Sequence, residues 1–79
     1  MSKKLYELIS SVLGISNSSI NDNSGPENTD GWDSFKGLML VDELEKNFNV
    51  KFYLNEIYDV KTVLDIKKHL RNHGVNFED

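Results

Sequence analysis

The chain has 79 residues, a formal net charge of −4 and no cysteine. That length confines it to one small domain with an efficient core. The missing cysteine excludes disulfides, thiolate metal sites and a cysteine nucleophile, and an acidic balance does not suit nucleic acid, whose phosphates need a basic surface.

The opening stretch MSKKLYELISSVLGIS has two lysines and an apolar component, as a signal peptide does. Glu7 interrupts it, however, and Leu5, Leu8, Ile9, Val12 and Leu13 recur at three- and four-residue steps. The spacing predicts an amphipathic helix from about Ser2 to Leu13, ended by Gly14. No apolar run approaches the length of a membrane span, and the expected location is the cytoplasm.

A long loop follows, ISNSSINDNSGPENTDGWD, rich in Asn, Ser, Asp and Gly and holding the one proline. A structureless loop of this length needs anchors; Ile15, Ile20 and Trp32 are the expected ones. Its acidic run does not fit a calcium loop. Counting from Asp22, Glu27 falls where the EF-hand needs glycine, and Asp33 falls where it needs glutamate. It reads as a solvated loop.

A second helix is predicted from about Ser34 to Asn47. Leu38, Val41, Leu44 and Phe48 form its inward stripe, with Phe35 and Leu40 widening it. NVKF breaks the pattern. YLNEIYD allows one or two helical turns with Leu54 and Ile57 inward. The last helix starts near Thr62, where TVLD approximates a capping box with Asp65. Val63, Ile66 and Leu70 are its apolar face, Lys67, Lys68 and Arg71 suit the negative end of its dipole, and Gly74 stops it. The expected fold is an all-α four-helix bundle: three longer helices, a short third one, and a long loop between helices one and two. Residues 1–79 read as a single domain. Trp32, Phe35, Phe48 and Phe52 point to a filled core.

The acidic middle (Asp30, Asp33, Asp42, Glu43, Glu45) fits a partner with basic patches, or simply a solvated face. His69 and His73 share a helix face at the four-residue spacing that two metal-binding imidazoles use. With no third ligand nearby they read as two surface histidines. No nucleophile–base–orienter set and no phosphate-binding glycine loop is visible. Ser34 remains. Asp33 or Ser34 caps helix two. A serine there is also exposed, at a helix N-terminus whose unpaired N–H groups and partial positive charge suit a covalently attached phosphate.

DSFKGLMLVDELEKNFNVKF resembles the core of acyl carrier proteins, in which an Asp-Ser-Leu motif opens the second helix and Leu-Glu-x-x-Phe follows. Asp33, Ser34 and Phe35 stand at the first motif, and Leu44, Glu45 and Phe48 at the second. TVLDI with Leu70 resembles the family's fourth-helix pattern, at a fitting distance. The resemblance spans the chain. It implies that a phosphopantetheinyl transferase moves 4′-phosphopantetheine from coenzyme A to Ser34. The arm's thiol then holds an acyl or aminoacyl group as a thioester. A loading enzyme and an acyltransferase or synthase are the implied partners. The chain itself catalyses nothing and is expected to be a monomer.

It departs from the housekeeping fatty-acid carriers on the helix-two face that partners read in the family. Lys36 replaces the usual acid, Met39 a frequent glutamate, and Asp42 a common methionine; Glu43 completes the face. Lys36 either pairs with the prosthetic phosphate or stays solvated. WDS resembles discrete carriers of secondary metabolism, polysaccharide or amino-acid-activating pathways, with Trp32 clamping the loop to the core. The histidine and double glycine of many peptide-synthetase carriers are missing, which favours acyl cargo. The expectation is therefore a specialised, free-standing acyl carrier. The alternative is an unmodified helical adaptor of carrier-like fold, which has no need of a serine at this position.

Overall fold

The computed structural model describes residues 3–76. Four α-helices run in order: α1 (Lys3–Leu13), α2 (Ser34–Phe48), α3 (Leu54–Asp59) and α4 (Val63–Asn72). No strand occurs among the described residues. The helix order, the short third helix and the long first loop are as the periodicity predicts. Residues just past α1 and α4, Gly14 and Gly74, adopt positive φ of 71° and 92°, the left-handed conformation that ends a helix without a Cβ penalty.

The core joins Leu5, Ile9 and Leu13 of α1 to Leu40 and Leu44 of α2 and to Val63, Ile66 and Leu70 of α4. Ile20 and Trp32 reach it from the loop, and Ile15 packs at its edge. All three expected anchors therefore hold the loop. The loop is less solvated than its composition indicates: it contains a short 3-10 turn at Asn17–Ser19, and Ser24 and Gly25 are buried.

Gly25 shows why. An added Cβ there would stand 1.9 Å from the Lys61 carbonyl oxygen, so the two backbones touch and only glycine fits. Beside this contact the loop caps α4. The N–H groups of Val63 and Leu64 donate to the carbonyls of Ser24 (2.8 Å) and Asp22 (3.0 Å). Asp65 reaches back to accept from the N–H of Thr62 at 3.2 Å. The expected capping box is thus completed from a distant part of the chain.

Lys67 corrects the dipole reading. It does not lie on a solvated face; it is buried, 2.7 Å from the Asp22 carboxylate, and donates to the Tyr6 hydroxyl at 3.0 Å. Burial by itself would lower the Lys67 ammonium, but the bonds to Asp22 and Tyr6 outweigh it and hold its pKa above the usual lysine value. Tyr6 in turn donates to Asp22. One α1 side chain, one loop side chain and one α4 side chain thereby close a single polar knot.

The inward face of α2 is also turned from the expected one. Leu40 and Leu44 are buried, whereas Leu38 is 61% and Phe35 69% exposed. Trp32, at 5% exposure, lies close to Gly37, 3.8 Å from where a Cβ would stand. That indole packs beside the first turn on the side of α2 that is buried. Burial follows Gly37, Leu40, Leu44 and Phe48 at helical spacing, and Phe35 falls on the opposite side. On α3 the expected pair splits as well: Leu54 is 63% exposed and Ile57 half-buried.

Candidate functional site

Asp33 and Ser34 divide the start of α2 between them. Asp33 is the N-cap, its backbone extended and its Oδ1 accepting from the Lys36 N–H at 2.8 Å. Ser34 is the first helical residue and is exposed. Its side chain is therefore not the cap. The amides at this end lie ahead of the helix's own hydrogen-bond ladder, which leaves partial positive charge beside the Ser34 hydroxyl.

The expected recognition residues surround it unevenly. Met39 (39%) and Asp42 are exposed, while Lys36 and Glu43 are partly covered. Asp42 and Glu43 share one cation, Lys46, at 3.0 and 3.9 Å. The hydrogen bond and charge of Asp42 raise the Lys46 pKa. The acidic part of this face is thus partly neutralised along its own helix, and the exposed Phe35, Leu38 and Met39 make the area around Ser34 substantially apolar.

Ser34 also borders a cavity of about 360 Å³, lined by Leu38, Val41, Phe52, Ile57 and His69 among others. That volume lies at the lower end of small-molecule pockets, which run from about 300 to 1,000 Å³. Of the aromatic residues expected to fill the core, Trp32 is buried in it and Phe48 and Phe52 pack against it, whereas Phe35 faces out; Phe52 also borders the space between α2, α3 and α4.

One wall of this cavity is polar, and sequence reasoning missed it. His69 is 7% exposed, not a surface residue. Its Nε2 lies 3.0 Å from Asp59 Oδ2. His73 Nε2 lies 2.8 and 3.0 Å from the two oxygens of Glu56, whose Oε2 stands 3.4 Å from His69 Nδ1. The Tyr53 N–H, with help from the His73 ring, holds the Glu56 carboxyl below its usual range against the burial that would raise it. The signal was present as two carboxylates three apart on α3 and two histidines four apart, one on α4 and one just past its end. What was missing was the register between those helices.

Both histidines are thus engaged with α3 carboxylates, and the hydroxyl at α2 is displayed rather than activated. Such a serine is suited to carrying a group, and the bundle is that of a carrier domain. Sequence comparison is specific about the kind: the chain belongs to the family described as phosphopantetheine attachment site, matched over residues 3–70. No curated protein matches it significantly. Domains of this family are non-catalytic and bear covalently attached 4′-phosphopantetheine. The residues present suit that group, since an exposed hydroxyl on a helix N-terminus offers both an attachment atom and a favourable field for its phosphate. No helix among the described residues is long and apolar enough to cross a membrane.

Proposed function

We propose that Ser34 is the attachment residue and that the chain is an acyl carrier, a single domain working in the cytoplasm as a monomer. Asp33 is the motif residue that frees the serine hydroxyl by capping the helix in its place. Phe35 is the motif residue that offers a partner an apolar contact. The attached group supplies a terminal thiol on which an acyl or aminoacyl cargo is held as a thioester. Tethering raises the local concentration of that cargo at each partner's site without any new contact. The observation that carries this reading is Ser34 itself: exposed, relieved of capping by Asp33, and bordering the cavity.

Lys36, Met39, Asp42 and Glu43 are the proposed partner-reading residues, for a phosphopantetheinyl transferase and for a loading enzyme and an acyltransferase or synthase. With Lys36 beside the serine and the α2 acids shared with Lys46, the surface differs from an acidic fatty-acid carrier, which supports a specialised pathway. Lys36→Asp should slow turnover by the native partners severalfold; unchanged turnover removes this position from the argument.

The deciding experiment is intact mass after incubation with coenzyme A and a broad-specificity phosphopantetheinyl transferase. The wild type should gain one phosphopantetheine and Ser34→Ala none. A folded wild type that gains nothing, from that enzyme or from the transferase of its own source, would leave an unmodified helical adaptor as the better reading.

A further inference from the structure

Some cations of the bundle are answered by its own acids: Lys46 by Asp42 and Glu43, and Lys67 by Asp22. The outer side of α4 is different. Lys61, Leu64, Lys68 and Arg71 are all exposed. Leu64, Lys68 and Arg71, four and three residues apart, form one row along the helix, and Lys61 stands just ahead of the N-cap Thr62. Lys61 and Lys68 form no ion pair among the described residues. Asp65, the one acid of α4, turns back to accept from the N–H groups of Lys61 and Thr62 at 3.0 and 3.2 Å. No carboxylate of α4 therefore stands in the row.

Two features of this row serve nothing in the fold. Lys68 and Arg71 suit the negative end of the α4 dipole, but Lys61 lies at the positive end, where a cation is disfavoured. Leu64 is 52% exposed between these charges, whereas every other exposed large apolar side chain among the described residues lies between Phe35 and Tyr58. An apolar side chain rimmed by charge is the anatomy of a small contact. The row also faces away from Ser34. Ile66 and His69 line the cavity that Ser34 borders, and at about 100° per residue Leu64 and Lys68 fall on the far side of the helix.

We propose that the face made by Lys61, Leu64, Lys68 and Arg71 is a docking surface for an acidic protein partner, separate from the α2 face around Ser34. Charge complementarity names the occupant. Lipid-binding basic clusters bring about four to eight Lys or Arg, and nucleic acid needs a broadly basic surface; this row offers three cations on a chain of net charge −4. From Leu64 to Arg71 it covers about 10 Å of helix, which confines it to the small, transient class of interface. A partner held there leaves α2 open, so the chain can stay with one protein while a second reaches the serine. That consequence rests on the carrier reading of Ser34; the surface itself does not.

The test titrates the ¹⁵N-labelled intact chain, Ser34 bare, with an acetylated and amidated peptide of glutamates around a central pair of leucines, and with the same peptide carrying glutamine for glutamate. Amide shifts should saturate within residues 61–72 for the first peptide and stay still for the second. Raising the ionic strength from about 0.05 to 0.5 M should weaken the binding. The triple variant Lys61→Gln, Lys68→Gln, Arg71→Gln should lose about three- to thirtyfold in affinity, the range three exposed ion pairs allow, and Leu64→Ala should lose less. If the triple variant fails to fold, the site of the wild-type shifts and their loss with Leu64→Ala decide. No saturable binding, shifts centred elsewhere, equal binding of the glutamine peptide or unchanged affinity in the variants would overturn the inference. So would tighter binding to vesicles of phosphatidylcholine and phosphatidylserine, lost in the triple variant, which would assign the face to an anionic lipid surface. With Ser34 bare throughout, none of these outcomes touches the carrier reading, and failed attachment of phosphopantetheine would leave this surface standing.

Discussion

The two sides of α4's neighbourhood are built on opposite plans. Toward the loop, side chains and backbone close on one another: Gly25 touches Lys61, Ser24 and Asp22 take the first amides of α4, and Lys67 sits between Asp22 and Tyr6. Toward α3 the contacts are sparse. That helix has no buried residue, its Leu54 and Tyr58 face solvent, and carboxylate–imidazole pairs tie it to α4 across a cavity. The loop side fixes the bundle, and the α3 side is left adaptable next to Ser34, the proposed attachment residue. Regions with few buried apolar contacts open at lower free-energy cost than the core does.

The largest test of this division is Gly25→Ala. Because the obstructing atom is backbone, the loop or α4 must shift, and the variant should lose about 3 kcal/mol. At this chain length that lowers the thermal midpoint by more than about 10 °C. A midpoint within about 2 °C of wild type would show that the loop side is not the rigid one.

Glu56→Gln probes the other side and should cost less, about 1–3 kcal/mol for weakened hydrogen bonds to a charged group. The effect has a pH signature. The Glu56 pKa is depressed in the folded state by the Tyr53 amide and the His73 ring. Its stabilising contribution is therefore complete above the ordinary glutamate value of about 4.3 and disappears as pH falls through the lower folded value. Urea midpoints of wild type and variant should differ at neutral pH and converge in acid. A gap independent of pH would mean that the carboxylate's charge does not hold α3.

The smallest stability effect belongs to Phe35→Ala. With the ring 69% exposed, the urea midpoint should shift by no more than about 0.5 kcal/mol. The rate of phosphopantetheine transfer should nevertheless fall about fivefold or more, as happens when an apolar contact residue is removed from an interface. An unchanged rate would move the recognition surface away from this side chain.

Local signals were enough for the helices. Period and stop residues placed α1, α2 and α4, the loop anchors were the three apolar residues in a polar stretch, and the motif residues put the proposed attachment serine at the start of α2. What escaped depends on how distant segments meet. The buried face of α2 lies on the side where Trp32 packs, so Phe35 and Leu38, apolar in sequence, stand in solvent. Lys67 looks like a surface charge until Asp22, which lies 45 positions earlier, arrives beside it. The polar wall needed the register of α3 against α4, which neither helix encodes alone. Each miss is a pairwise term across the fold, while each success is a property of one segment.

The cap at Asp33 has a consequence for how the chain can be used over time. Because the aspartate already satisfies the helix start, nothing in the first turn depends on the Ser34 hydroxyl keeping its hydrogen. Esterification at that oxygen would leave the capping bond untouched. Bare and substituted forms can then share one backbone, and the same molecule can pass through many rounds of service without refolding between them.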